Sequence, residues 1–227
     1  MHVLASNPCT LCAHGVRRKT ARAVTLIELL VVVTLIAFLT GALGMALRHP
    51  GEAVALQAAQ DTIAGLCRAA RSRAVLTRQN ARLVVAADPV DAGGYLRYLQ
   101  VVHEDGAGSN RWQAEGAGIW LPRGVYLVPP AAVPGQPAWP ASRQSTALSS
   151  TAATLTIDGV AAGMFYYVQF TPRGTTRDGC LVLATRRAAA GASGPALIFD
   201  NPDNVRGVLL RSSGTLTLLE DAGAFAP

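Results

Sequence analysis

Charge is scarce in this chain. Asp, Glu, Lys and Arg make up 15% of its 227 residues, against 50% apolar residues. That balance excludes an intrinsically disordered polymer. Acid is absent before Glu28, where Arg17, Arg18, Lys19 and Arg22 stand. Without those four, 16 basic residues face 14 acidic ones, so the +6 net charge is mostly a property of the N-terminal segment. A nucleic-acid binder needs a basic face on its folded domain, and bulk charge supplies none here. Cysteine is also rare. Cys9 and Cys12 form a C-x-x-C near the N-terminus with only His14 close by, too few partners for a zinc or redox site. Cys67 and Cys180 fit either a disulfide in an oxidising compartment or two free thiols. His103 is the one histidine of the body, since His2, His14 and His49 precede it. No G-x-S-x-G, Walker A loop, H-E-x-x-H or dinucleotide fingerprint occurs. Asp200, Asp203 and Asn204 cluster hard oxygens, but their spacing is not that of an EF-hand and turn chemistry explains them. The expectation is a protein without catalytic residues, bound metal or cofactor.

What the chain does have is a long apolar run. Val24 to Leu47 is 24 residues with a single charge. As a helix it spans about 36 Å, enough for a ~30 Å hydrocarbon core. Basic residues precede it, so the N-terminus is expected in the cytoplasm and the C-terminal body on the far side of the membrane. The single charge is Glu28. A carboxylate in lipid costs about 2.5 kcal/mol or more and marks a functional candidate; four residues into the run, it could equally reach the interface. Gly41 and Gly44 could allow close helix packing or local unwinding.

The segment RKTARAVTLIELLVVVTLIAF resembles the N-terminal signature of type IV prepilins and pseudopilins. The resemblance implies a basic leader, here residues 1–23, cut on the cytoplasmic side by a prepilin peptidase that also methylates the new terminal amine. It places the cut between Ala23 and Val24, with Glu28 fifth in the mature chain. Ala23 and Val24 depart from the glycine and the phenylalanine or methionine that the family prefers, so slower cleavage is expected. On the hypothesis that translation starts at Val16, the leader shortens to VRRKTARA, and a peptide containing Cys9 in unprocessed protein would rule that out. The resemblance also implies a partner for Glu28: the terminal amine of a neighbouring subunit, two poorly solvated charges neutralising each other.

Beyond His49-Pro50-Gly51, residues 48–80 read as an amphipathic continuation of the helix, with Leu56, Ala59, Ile63, Leu66 and Ala70 on one face. Residues 81–227 read as a β-rich domain, expected to be periplasmic. Short strands are expected at 81–86, 95–103, 111–115, 125–128, 154–157, 165–171, 180–185, 196–199, 205–211 and 215–219. Residues 129–153 hold a proline-rich connection expected to be an exposed loop, with Trp139 as either a partner anchor or a ring folded back on the body. The expected fold is α+β and pilin-like: a long N-terminal helix packed on an antiparallel β-sandwich or sheet. LCRAARSRAVLTRQN and VQFTPRGTTRDGCLVLA resemble the GspH/FimT group of that family. The resemblance implies a structural, non-enzymatic subunit of the type II secretion pseudopilus, in the inner membrane with other major and minor pseudopilins. The alternative is a FimT-type minor pilin of a type IV pilus that binds DNA, with Arg173, Arg177, Arg186 and Arg187 as candidate contacts among the C-terminal arginines.

Overall fold

The structure, a computed structural model, describes residues 25–46, 50–91, 93–131, 139–187, 197–199 and 201–225. The chain divides into two units, Met1–Leu47 and Arg48–Pro227.

In the first unit, α1 spans Leu26–Ala46. Its start is set by Thr25, whose hydroxyl accepts from the Glu28 N–H at 3.3 Å while its carbonyl accepts from Leu29 N–H at 3.2 Å. That is N-cap geometry, which satisfies donors the first turn leaves open. Thr34 and Thr40 turn their hydroxyls back onto carbonyls of the preceding turn, Val31 at 2.8 Å and Ile36 at 2.7 Å. No polar group of theirs then needs an outside partner. The helix has no amphipathic stripe, and its side chains from 25 to 40 are all exposed, Leu26 at 84% and Phe38 at 75%. A helix apolar on every face requires an apolar surrounding. Among the described residues no helix is long and apolar enough to cross a membrane.

In the second unit, α2 spans Pro50–Thr77 and eleven strands follow. Proline suits the first helical position, where its missing N–H costs nothing. The helix ends as Arg78 turns left-handed at φ 56°. Its buried stripe is Leu56, Ala59, Ile63, Cys67, Ala70 and Ala74, at the three- and four-residue spacing of one helix face. The small residues in it let α2 approach the strands closely.

The strands are β1 (Ala81–Ala86), β2 (Tyr98–Glu104), β3 (Trp112–Ala114), β4 (Ile119–Trp120), β5 (Val125–Leu127), β6 (Ala153–Ile157), β7 (Val160–Phe170), β8 (Gly179–Arg187), β9 (Ile198–Phe199), β10 (Val205–Leu210) and β11 (Leu216–Leu219). The first sheet runs β1-β7-β6-β3-β2-β4, and the second β11-β10-β8-β5 with β9 on β8. Every pairing is antiparallel except β3–β6, where Trp112 faces Ile157 in parallel. Since β1 also pairs with β2, that contact closes the first sheet on itself. An all-antiparallel expectation is corrected at this point.

In the first sheet β1 and β2 are buried on both faces. Leu83, Val85, Leu99, Val101, Val168 and Phe170 join the α2 stripe and the second sheet in the main core. Val84, Ala86, Val102, Trp112, Leu155, Ile157 and Phe165 fill a second core. Arg82 shares the alternating face of Val84 and Ala86 and lies with its guanidinium 4.0 Å from the centres of both the Trp112 and Tyr167 rings. Its Nε donates to Gln169 Oε1 at 2.9 Å. Burial lowers the Arg82 pKa, opposed by Tyr167 and Glu104.

The helix is pinned to the second sheet by Gln60, buried, whose amide donates to the carbonyls of Gly207 at 2.7 Å and Leu219 at 2.9 Å. The later part of the 129–153 connection is packed rather than exposed. Ser145, Ala147 and Leu148 are buried, and Ser145 Oγ accepts from Val182 N–H at 3.0 Å.

Candidate functional site

Glu28 stands in the first turn of α1, exposed, with no cation beside it among the described residues. Its backbone is held by the Thr25 cap at 3.3 Å. Thr-x-x-Glu is capping-box spacing, in which the glutamate occupies the third helical position. The Thr25 cap was readable from the sequence as a threonine at the head of the apolar run. Glu28 thus stands at the positive end of the helix dipole, with its side chain exposed to meet an outside charge. Ala23 and Val24 lie outside the described residues. The backbone stays helical through Gly41 and Gly44, so no unwinding occurs between them.

The candidate arginines are not brought together. Arg173 and Arg177 are exposed in the connection from β7 to β8. Arg186 is at the far end of β8, half-buried, with Nη1 donating to the Tyr126 hydroxyl at 3.3 Å. Seven residues of β8, 179–185, lie between Arg177 and Arg186, so Gly179 and Arg186 are about 23 Å apart along the strand at 3.3 Å per residue. Arg187 closes the same strand.

Other candidates resolve as structure. His103 is buried between Glu115, 3.6 Å from Nδ1, and Arg73, 3.5 Å from Nε2, while Arg73 and Glu115 pair at 2.8 Å. Trp139 is folded inward: its Nε1–H donates to Arg143 O at 2.9 Å and its ring lies 5.1 Å from Phe199. Asp203 N–H bonds Asn201 Oδ1 at 2.8 Å, a local turn, and Asp203 pairs with Arg143 at 2.8 Å; Asp200 is outside the described residues. Cys67 and Cys180 are both free thiols. Burial pushes the Cys67 thiol up to about 12, with Arg68 opposing. Among the described residues no three His, Cys, Asp or Glu side chains converge as a metal site would require.

The capped, apolar helix with its one first-turn carboxylate, entered from a basic segment, lies within residues 18–44, which match the prokaryotic N-terminal methylation motif. The chain is type IV pilin-like in this segment. A solved structure described as the minor pseudopilin EpsH from the Type 2 Secretion System of Vibrio cholerae is similar at 13% identity and a TM-score of 0.40, over 72% of this chain and 95% of that one. A likeness that slight carries neither fold nor function across. No curated protein matches this sequence.

Proposed function

We propose that this chain is a minor pseudopilin, a structural subunit of the type II secretion pseudopilus. In this reading residues 1–23 are the leader, prepilin peptidase cuts between Ala23 and Val24, and the Val24 amine is methylated. Residues 24–47 anchor the subunit in the inner membrane, residues 48–80 extend the helical part, and 81–227 form the periplasmic body. The observation that carries it is Glu28, the lone charge of an otherwise apolar helix lying inside the methylation motif.

The physical argument is one of compensation. An anchored subunit keeps a poorly solvated carboxylate at a cost of about 2.5 kcal/mol or more. A neighbour's terminal amine bears a similar cost, and pairing offsets both while fixing the register between two helices. A DNA-binding minor pilin is the other member of the same class. The separation of Arg173 and Arg177 from Arg186 gives that alternative less support.

The test is Glu28→Leu in the native host. The expected result is a processed subunit that no longer cross-links to other pseudopilins, with export of folded proteins lost. Wild-type cross-linking and export would contradict the proposal.

A further inference from the structure

A cleft of about 300 Å3 opens beside the free end of the first sheet, between β4 and the start of β7. Its walls are Tyr98, Trp120, Met164 and Phe165, and its rim carries Asp88 and Asp91. Trp120 is 51% exposed and Met164 46%, so two large apolar side chains face solvent at one spot. The aromatic wall is held rather than loose. Tyr98 and Trp120 meet edge-on at 5.3 Å, and Tyr98 lies so close over Gly118 that a Cβ there would overlap its ring.

The carboxylates are held as well. Asp88 Oδ1 accepts from Val90 N–H at 2.9 Å, and Asp91 Oδ1 from Gly93 and Gly94 N–H at 3.2 and 3.1 Å. Each keeps a second oxygen, and neither forms an ion pair among the described residues. Two carboxylates lining the same cleft as aromatic rings attract a cation twice over, through charge and through the ring quadrupole. An aliphatic stem would lie on Met164 and Phe165 while its charged head reached the rim. The protein already packs a guanidinium this way internally, with Arg82 between Trp112 and Tyr167.

The neighbouring strand decides what kind of molecule brings the cation. β4 is the terminal strand of its sheet, two residues long, with Ile119 41% exposed. Its outer edge offers backbone donors and acceptors to an extended chain. We propose that the cleft receives a lysine or arginine side chain from a partner polypeptide lying along the β4 edge. This site is independent of N-terminal processing.

The full chain in detergent micelles, labelled with fluorotryptophan, tests it by fluorine NMR. The Trp120 resonance is assigned from its loss in Trp120→Phe. The probe is the acetylated, amidated tripeptide Gly-Arg-Gly, with citrulline in place of arginine as the uncharged control. The expected result is a saturable shift at Trp120 for the arginine peptide alone. Asp88→Asn with Asp91→Asn keeps both turn acceptors, so it should leave the Trp112 and Trp139 resonances in place while weakening the peptide at least about five-fold. No saturable shift, or an equal shift from the citrulline peptide, would overturn the proposal. So would tetramethylammonium binding as tightly as the peptide, since the site would then be one for small cations.

Discussion

Glu28 has a local place and, on the proposed function, a second use that a single substitution confuses. Its backbone N–H meets the Thr25 hydroxyl at the helix start, and in that proposal its charge pairs with a neighbouring subunit. Glutamine satisfies a capping box as glutamate does but cannot pair with an amine. Glu28→Gln should therefore leave α1 helical by circular dichroism in micelles while cross-linking to other subunits is lost; retained cross-linking would make the residue a cap and nothing more. Cys67 gives a prediction in the body. Burial holds its thiol neutral up to about pH 12 when folded, whereas the unfolded chain releases that proton from about 8.5. The unfolded state thus binds fewer protons across that window, and stability is full below it and falls as pH rises through it, by up to about 1.4 kcal/mol per pH unit. Tyr95 and Tyr166, raised by burial, act with the same sign at higher pH. Urea midpoints of wild type and Cys67→Ala should diverge in slope above about pH 9, and parallel slopes would contradict a buried neutral thiol.

At the scale of elements, the closure of the first sheet hangs on a short parallel contact at Trp112, which also stacks on Arg82. Trp112→Ala should cost about 3–5 kcal/mol, read as a lower urea midpoint, and an effect near zero would mean the ring is not structural. A second junction joins α2 to two loops: Arg71 donates to Gly174 O and Ser213 O, both at 3.1 Å. Gly214 sits beside it at φ 75°, with no room for a Cβ against Gly174 O and Arg71. Gly214→Ala should destabilise by about 1–3 kcal/mol, measured in the same way. Most strands were legible because short Val, Leu, Tyr and Thr runs end at Gly, Pro and Asp, so that β1 matches residue for residue and β8 and β10 nearly so. The α2 stripe was legible from its period, with Cys67 rather than Leu66 fully buried. β4 was missed, because two residues show no period. β7 begins five residues early because Asp158 and Gly159, both left-handed, form a tight turn pinning Ile157 to Val160. The β3–β6 pairing has no local signal, since it joins segments far apart in sequence.

On the scale of the whole molecule, the candidate site was legible to the degree that its chemistry is local. Glu28 and the apolar run are contiguous in sequence, whereas the separation of the arginines depends on the length of β8 between them. On the proposed function, Arg173 and Arg177 before β8 and Arg186 at its far end are separate solvated charges rather than one DNA-binding patch. In a gel shift, the full chain in detergent should not retain duplex DNA at moderate salt, and retention falling steeply with salt would favour the minor-pilin alternative. The central claim concerns the N-terminus that the assembled subunit presents. Intact-mass and N-terminal peptide spectrometry on the chain purified from its host's membranes addresses it most directly. The account predicts a mature chain that begins at Val24 with a methylated amine; a functional protein still carrying residues 1–23 would contradict it.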